Sequence, residues 1–211
     1  MSIKLIYFDA RGVVEASRIM LAVAGQAYED FRFPISADFK RPEFDEAKAS
    51  GAFQVNMDRI PILEVDGTQI GQSKTIERYI AKRFGFVGSS AIEEAQVDMI
   101  TEHIRDVKQK YNDSKAGKSG DELAAAKTGF MATELPTWMR KIEFCVAKGG
   151  YAVGSRLSLA DITIYCLVKE YFDDLAGAEA AIADCAGLQA VCATVAKEAK
   201  SWFETRPATK F

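Results

Sequence analysis

The sequence has 211 residues, of which 48% are hydrophobic and 27% charged, so the chain can bury a core and is not expected to be disordered. Its 27 basic and 30 acidic residues give a net charge of −3, which disfavours nucleic acid as a partner because phosphate binding needs a basic surface. No apolar run approaches the roughly 18–20 residues of a membrane span, and the amino terminus shows no signal-peptide pattern. These features predict a cytoplasmic protein without a membrane partner.

The first 85 residues combine strand and helix patterns. Short apolar and alternating segments favour strands. Asp66 and Gly67 favour the positive φ angles that a tight turn between two strands requires. In chain order the predicted elements are strand 3–8, helix 13–24, strand 28–35, a short helix after Phe39, strands 61–65 and 68–71, and helix 73–84.

From residue 90 onward we find only helical patterns. Apolar residues recur three or four positions apart from Ile92 through Met99 to Tyr111, which predicts a long helix with these residues on its buried face. The segment 159–171 is apolar almost all round, so we expect it to be a central buried helix. Further helices are predicted at about 121–147 and 188–203.

Ser158 and Asp161 have the spacing of a capping box at the start of the predicted buried helix. In such a box the two side chains bond reciprocally to backbone N–H groups of the first helical turn. We therefore interpret Asp161 as a folding determinant and not as a general base.

Four cysteines and a single histidine restrict the chemistry. The cysteines lack CxxC spacing, so no metal site is predicted. A disulfide scaffold is not expected at this size, which indicates a reducing compartment. With one histidine and no Gly-x-Ser-x-Gly motif a serine hydrolase is disfavoured, and phosphate-binding glycine motifs are absent from the sequence.

Five motifs, in their order along the chain, resemble those of the cytosolic glutathione transferases. The resemblance implies an α/β thioredoxin-like, glutathione-binding domain at residues 1–85, an all-α helical-bundle domain at 90–211, and a homodimer. The first motif is most similar to the sigma class, which includes glutathione-dependent prostaglandin D synthases. The motifs are Tyr7-Phe8-x-x-Arg11-Gly12-x-x-Glu15-x-x-Arg18, 60–67 (IPILEVDG), Gln72-Ser73-x-x-Ile76-x-Arg78-Tyr79-Ile80-Ala81, 158–161 (SLAD) and 206–211 (RPATKF).

Tyr7 lies at the end of the first predicted strand. A phenol can donate a hydrogen bond to a sulfur anion, which lowers the pKa of the thiol and increases the nucleophilic thiolate. In a protein without this resemblance, Tyr7 would be interpreted as a tyrosine of the core whose hydroxyl is hydrogen-bonded. The resemblance implies that it is the catalytic residue that activates glutathione. Arg11 is either a further charge that favours the thiolate or an ordinary ion-pair partner.

The resemblance also implies the residues that bind glutathione. The backbone of Ile60, before a cis Pro61, pairs with the cysteinyl part of the peptide, as an added strand does. Gln72 and Ser73 hold its γ-glutamyl end, because Ser73 suits a helix N-cap and helix N-termini favour carboxylates. Asp106 matches an acid that reaches the γ-glutamyl amine in the partner subunit, although a solvated helix face is the other interpretation.

The sequence departs from the sigma pattern at three places. Val13 stands where an arginine is usual, and Phe39 stands near the position of a tryptophan that binds glutathione. The segment 50–59 is longer than the usual loop, so both Lys48 and Arg59 are candidates for the glycyl carboxylate. The longer loop also offers Phe53 or Met57 as an apolar plug for the helical domain of a partner subunit, or else it is a mobile surface insertion.

The predicted reaction is conjugation of the thiolate of reduced glutathione to hydrophobic electrophiles, a detoxification chemistry with glutathione as co-substrate and no metal. Two alternatives stay open: an isomerase of the prostaglandin D synthase type, and a non-catalytic ligand-binding or crystallin-like relative. Retention of Tyr7 with Gln72 and Ser73 favours catalysis. The expected electrophile pocket consists of Phe8, Ala10, Val13, Lys108, Tyr111, Thr163, Leu167 and Phe211.

Overall fold

The structure is a computed structural model in which residues 1–209 are described. Phe211, which the sequence assigns to the electrophile pocket, lies outside the described residues. The chain divides into two compact units, one formed by residues 1–84 together with residues 199–209, the other by residues 85–198. Residues 199–209, predicted to belong to the helical domain, therefore pack with the first unit.

The first unit is an α/β unit whose elements follow the predicted order. Its strands form a mixed sheet of four strands, and the predicted thioredoxin-like class is confirmed. Up to residue 84 its elements are β1 (Ile3–Phe8), a 3-10 turn (Gly12–Val14), α1 (Glu15–Val23), β2 (Glu29–Phe33), α2 (Pro42–Ala49), a 3-10 turn (Gln54–Asn56), β3 (Ile62–Val65), β4 (Thr68–Gly71) and α3 (Ser73–Phe84).

The sheet has the strand order β2-β1-β3-β4. β1 and β2 are parallel, as expected for strands joined by a helical crossover, and the other neighbours are antiparallel. Asp66 and Gly67 make the turn of the hairpin with φ angles of 47° and 83°. Ile62 pairs with both Ile6 and Gly71. The end of β1, the start of β3 and the end of β4 therefore lie together at one end of the sheet.

An aromatic cluster in the first unit includes a residue of the longer loop. Phe53 is buried together with Ile6, Phe33, Phe44 and Ile62. Its ring stacks on that of Phe44, with centroids 5.3 Å apart and planes 8° from parallel. The prediction that Phe53 forms a plug for a partner is therefore wrong, because its side chain already fills the core of its own unit.

The second unit is all-helical, as predicted. Among residues 1–209, no helix has both the length and the apolar character that crossing a membrane requires. The predicted helix at 121–147 is divided into two helices by a π-helical turn. The elements are α4 (Ala91–Lys115), α5 (Gly120–Gly129), the π-helical turn (Phe130–Glu134), α6 (Leu135–Glu143), α7 (Leu159–Cys166), a second π-helical turn (Leu167–Tyr171), α8 (Leu175–Ala180) and α9 (Ala186–Glu198).

The buried face of α4 differs from the predicted face over its first half. Ile92 is 71% exposed and Met99 is also exposed, whereas Val97, Ile100 and Ile104 are buried. The sequence contains two apolar stripes at helical spacing, and both include Val107 and Tyr111. The helix buries the stripe that starts at Val97, so the predicted stripe is correct only near its carboxyl end.

The capping box at the start of α7 is present as predicted. The Asp161 carboxylate is fully buried and accepts hydrogen bonds from the backbone N–H of Ala152 at 2.6 Å, from the backbone N–H of Ser158 at 2.8 Å and from the Ser158 hydroxyl at 2.6 Å. Burial raises the pKa of this carboxyl, and the three hydrogen bonds oppose that shift. Asp161 thus joins the loop before α7 to the first turn of that helix.

The last described helix, α10 (Lys200–Thr205), packs against α1 in the first unit. The buried Glu15 carboxylate accepts hydrogen bonds from Trp202 Nε1 at 2.9 Å and from Arg206 Nη1 at 2.7 Å. The Arg18 guanidinium lies 3.7 Å from the same carboxylate. A buried carboxylate needs such partners, and the end of the chain supplies two of them.

Trp202→Phe is expected to lower the free energy of unfolding by about 1–2 kcal/mol, because Glu15 loses a hydrogen-bond donor. Urea unfolding measures the change. Trp138→Phe is the matched control. It replaces the second of the two tryptophans of the chain, which lies on α6 in the other unit. Equal stability losses in the two variants would show that the bond to Glu15 is not what stabilises the first unit.

Candidate functional site

The site begins with Tyr7, whose side chain meets the turn after β1. An added Cβ at Gly12 would lie 2.8 Å from the Tyr7 hydroxyl oxygen, and Gly12 has a φ of +47°, so this turn requires glycine. The Val13 backbone forms a hydrogen bond with the phenol oxygen. Burial raises the pKa of Tyr7, while this hydrogen bond and the charge of Arg18 oppose the increase. The hydroxyl is therefore protonated at neutral pH and can donate its hydrogen.

Arg18 fixes the loop that follows Tyr7. Its guanidinium is fully buried and donates to the Ala10 carbonyl oxygen at 2.6 Å and to Asp30 Oδ1 at 3.2 Å. Asp30 is also paired with Arg32 at 2.7 Å. The sequence motif includes Arg18, but its spacing alone does not indicate this role in holding the loop.

The start of β3 has the predicted geometry, because the peptide bond between Ile60 and Pro61 is cis. Pro61 is buried and Ile60 is half-buried. The pairing of Ile6 with Ile62 places Pro61 beside Tyr7, at the same end of the sheet. The sheet topology thus brings the first two predicted parts of the glutathione site together.

Gln72 and Ser73 follow β4 at this same end of the sheet. Gln72 adopts a left-handed backbone conformation with φ +66°, and its carbonyl accepts a hydrogen bond from the Ile76 N–H at 3.0 Å. Since α3 begins at Ser73, Gln72 and not Ser73 occupies the N-cap position. The prediction of Ser73 as the cap residue is wrong by one position, but the helix N-terminus lies where the sequence places it.

Asn56 is a residue of this region that the sequence analysis missed. Its side chain is 5% exposed, although it belongs to the loop that the sequence treats as an insertion. Its Oδ1 accepts a hydrogen bond from the Gln72 N–H at 3.1 Å. The sequence does contain a signal for this role. An asparagine stands shortly before the Ile60-Pro61 motif, and asparagine side chains readily form hydrogen bonds with backbone groups of turns.

The remaining predicted ligands of glutathione lie at the surface. Phe39 is exposed and has a left-handed φ of 60°, and Lys48 is exposed on α2. Arg59 is exposed and its Nη2 lies 3.8 Å from the Met57 sulfur. Asp106 is exposed on α4 of the second unit. The sheet topology does not by itself bring these four residues to the end of the sheet where Tyr7, Pro61 and Gln72 meet.

The predicted electrophile residues of the first unit differ in their exposure. Val13 is exposed, Phe8 is half-buried and Ala10 is buried. The Phe8 ring packs edge-on against Phe44, with centroids 5.0 Å apart. Of these three residues, Val13 presents the most open apolar surface.

In the second unit, Tyr111 belongs to an aromatic cluster. Its ring centroid lies 5.1 Å from that of Phe130 and 5.0 Å from that of Phe172. Lys108 is half-buried, and its Nζ lies 4.7 Å from the centre of the Tyr171 ring. Tyr111 is buried at 5% exposure within this cluster, whereas Lys108, one turn earlier on the same helix, reaches the rim of the cluster.

Thr163 and Leu167 are in the interior of the second unit. Both side chains are buried, and the Thr163 hydroxyl donates to the Ala160 carbonyl oxygen at 3.1 Å within its own helix. This depth follows from the all-round apolar pattern of 159–171. In this conformation neither side chain has the open surface that the prediction of a pocket residue requires.

Comparison with known proteins identifies the family. Residues 3–82 match the model of the glutathione S-transferase N-terminal domain, and residues 105–206 match that of the C-terminal domain. Probable glutathione S-transferase 7 of Caenorhabditis elegans is 36% identical over 99% of this chain and 98% of its own. The chain therefore belongs to the glutathione S-transferase family, and its enzyme class is that of a transferase.

Solved structures agree with this assignment. A monomeric glutathione S-transferase from the hookworm Necator americanus superimposes with a TM-score of 0.84, 30% identity and complete coverage of both chains. A Nu-class enzyme from Haemonchus contortus gives a TM-score of 0.81 and 31% identity over 100% of this chain and 99% of its own. The predicted family is confirmed, whereas the sigma class is not specifically supported by these relatives.

Proposed function

We propose that this chain binds reduced glutathione where β1, β3 and β4 end together and transfers its thiolate to hydrophobic electrophiles. The observation that carries the proposal is the convergence of the Tyr7 side chain, the cis Pro61 segment and the Gln72 turn at one end of the sheet. The cis-proline segment offers backbone groups to a peptide, and the start of α3 offers N–H groups to a carboxylate.

Tyr7 has the catalytic role in this proposal. Its protonated hydroxyl donates a hydrogen bond to the sulfur of glutathione, and that bond stabilises the thiolate more than the thiol. The bound thiol then releases its proton to solvent at a lower pH than in water, and the resulting thiolate attacks the electrophilic carbon. The sulfur forms the new bond, and the leaving group departs with the electron pair of the bond that breaks.

The proposal is tested by a conjugation assay with a generic aryl halide, with and without glutathione. Glutathione-dependent formation of the thioether is the expected result. Glutathione binding without turnover would instead indicate the ligand-binding relative, and no glutathione binding would overturn the proposal. Prostaglandin isomerisation and the sigma class stay predictions of the resemblance, and the cytoplasmic location stays a prediction from the sequence.

Gln72→Ala and Ser73→Ala are each expected to raise the glutathione dissociation constant by about tenfold, because each removes polar contacts to the γ-glutamyl end. Turnover at saturating glutathione is expected to change less, since this end is remote from the sulfur. Isothermal titration calorimetry and steady-state kinetics measure the two effects. Thr75→Ala, an exposed position in the same helical turn, is the control. Wild-type affinity in both variants would remove these residues from the site.

We propose that the chain forms a homodimer to which Met57 contributes an apolar contact, because its side chain is 77% exposed in the loop before β3. Met57→Glu is expected to raise the dimer dissociation constant by about tenfold or more, since a few apolar anchors usually dominate an interface. Sedimentation velocity measures it, with the exposed Leu175→Glu on α8 as the control. The Necator americanus relative is described as monomeric, and a wild-type monomer here would contradict the proposal.

A further inference from the structure

Asn56 is a buried amide between two exposed neighbours. Its side chain is 5% exposed, whereas Val55 is 53% and Met57 77% exposed. A polar side chain that turns inward from a surface loop loses its hydrogen bonds to water, so it needs partners in the protein. The hydrogen-bond partners of Asn56 therefore indicate which segments this side chain connects.

All three of those partners are backbone groups at the proposed glutathione site. Asn56 Nδ2 donates to the carbonyl oxygens of Arg59 at 3.1 Å and Pro61 at 3.0 Å. Its Oδ1 accepts from the Gln72 N–H at 3.1 Å. An amide has two N–H donors and one carbonyl acceptor, so the three bonds use both hydrogens and the oxygen. The two carbonyl partners also fix the orientation of the amide, because only its NH₂ group can serve them.

The end of β4 is shaped to fit this amide. An added Cβ at Gly71 would lie 2.5 Å from Asn56 Cγ and 2.6 Å from its Oδ1, which is closer than atoms in contact can approach. Gly71 therefore lets the amide lie against the strand immediately before Gln72. The close approach is a second observation, independent of the hydrogen bonds, that this side chain is seated between β4 and the start of β3.

The loop does not need the Asn56 side chain for its own turn. The backbone N–H groups of Asn56 and Asp58 both donate to the Phe53 carbonyl at 3.0 Å, and the Arg59 N–H donates to the Asn56 carbonyl at 3.2 Å. Phe53 also anchors the loop in the aromatic cluster. The side-chain bonds are thus left to connect the Ile60-Pro61 segment with Gln72, one residue beyond the pairing of Ile62 with Gly71 at which the β3–β4 ladder ends.

We infer that Asn56 is a positioning residue of the glutathione site, which holds the backbone at Ile60 and the Gln72 turn at a fixed separation. The inference rests on the proposed function, because these are the two segments assigned to the cysteinyl and γ-glutamyl parts of glutathione. One amide holds both segments, so a single change at Asn56 disturbs both ends of the peptide-binding surface. The chemistry at Tyr7 is affected only through the placement of the ligand.

The test compares wild type, Asn56→Ala and Asn56→Asp in the full-length chain. Asn56→Ala is expected to raise the glutathione dissociation constant and KM by about tenfold to a hundredfold, because the Gln72 N–H and two carbonyls lose a buried partner. The KM for the aryl halide and kcat at saturating glutathione are expected to stay within about threefold of the wild-type values, because only glutathione binding is weakened. Gln54→Ala, an exposed amide in the same turn, is the matched control and is expected to match wild type.

Asn56→Asp adds a readout in pH. The carboxylate keeps an acceptor for Gln72 but places negative oxygens opposite the carbonyls of Arg59 and Pro61. A protonated carboxyl can donate one of the lost hydrogen bonds. Relative to wild type at each pH, the glutathione affinity of Asn56→Asp is therefore expected to improve as the pH falls, whereas that of Asn56→Ala stays reduced throughout.

Near-ultraviolet circular dichroism gives the folded fraction of each variant, and affinities are compared per folded molecule. Wild-type glutathione affinity in folded Asn56→Ala would overturn the inference. Unfolding of both variants would also overturn it, because Asn56 would then be a folding determinant. Failure of the wild-type protein to bind glutathione would instead refute the proposed function, so the two failures are distinguishable.

Discussion

Tyr7→Phe is expected to lower kcat with an aryl halide by about 10²–10³-fold, which is the usual effect of removing one donor to a developing or resting anion. The substitution removes only the hydroxyl, so the ring keeps its packing and glutathione binding is expected to survive. The apparent pKa of the bound thiol is expected to rise, because the thiolate loses its hydrogen bond. Steady-state kinetics and the ultraviolet absorbance of the bound thiolate measure the two effects.

The pH dependence separates the phenol from the thiol. Burial raises the pKa of Tyr7, so the phenol itself does not ionise in the neutral range. The rise of the rate with pH therefore reports ionisation of the bound thiol, and its midpoint is expected to move to higher pH in Tyr7→Phe. A pH profile identical to that of the wild type would show that Tyr7 does not stabilise the thiolate.

Tyr28→Phe is the matched control for this experiment. Its hydroxyl is buried and has no hydrogen-bond partner within residues 1–209. Tyr28→Phe removes a phenol hydroxyl from the same unit, as Tyr7→Phe does, but it breaks no hydrogen bond within the described residues. Turnover is therefore expected to remain at the wild-type level. Full activity in Tyr7→Phe as well would transfer the thiolate-stabilising role to a backbone N–H group of the turn or to Arg11.

Asp161→Ala is expected to lower the free energy of unfolding by about 3–5 kcal/mol, because two backbone N–H groups and a hydroxyl lose their shared buried acceptor. Urea unfolding by circular dichroism measures this. Ser90→Ala, at the N-cap of α4, is the control, since its exposed side chain accepts a hydrogen bond from the Glu93 N–H at 3.2 Å and the loss of such a cap typically costs about 1 kcal/mol. Equal losses in the two variants would contradict the role of Asp161 as the main determinant of this region.

Local patterns in the sequence are sufficient to predict most of the secondary-structure elements of the first unit. The β1 run, the turn at Asp66 and Gly67, and the α3 periodicity each depend on neighbouring residues, and all three elements form as predicted. The convergence of Tyr7, Pro61 and Gln72 follows once the sheet order is known. The structure supplies that order, because strand pairing is a long-range property that a single sequence does not show.

The residues whose burial the sequence analysis did not anticipate depend on tertiary packing. Phe53 and Asn56 lie in a loop whose pattern does not show which side chains turn inward. Ile92 fits one of two apolar stripes on α4, and only packing decides between them. Thr163, which is expected in the electrophile pocket, is buried at 2% exposure in the second unit. For these residues burial is set by elements far away in the sequence.

The Glu15 carboxylate accepts hydrogen bonds from Trp202 and Arg206. Glu15 is translated 187 residues before the first of these donors and 191 residues before the second. The unit formed by residues 85–198 is continuous, so all of it is synthesised before these donors. The first unit therefore acquires α10 and the two donors to Glu15 only after the whole helical unit has been synthesised.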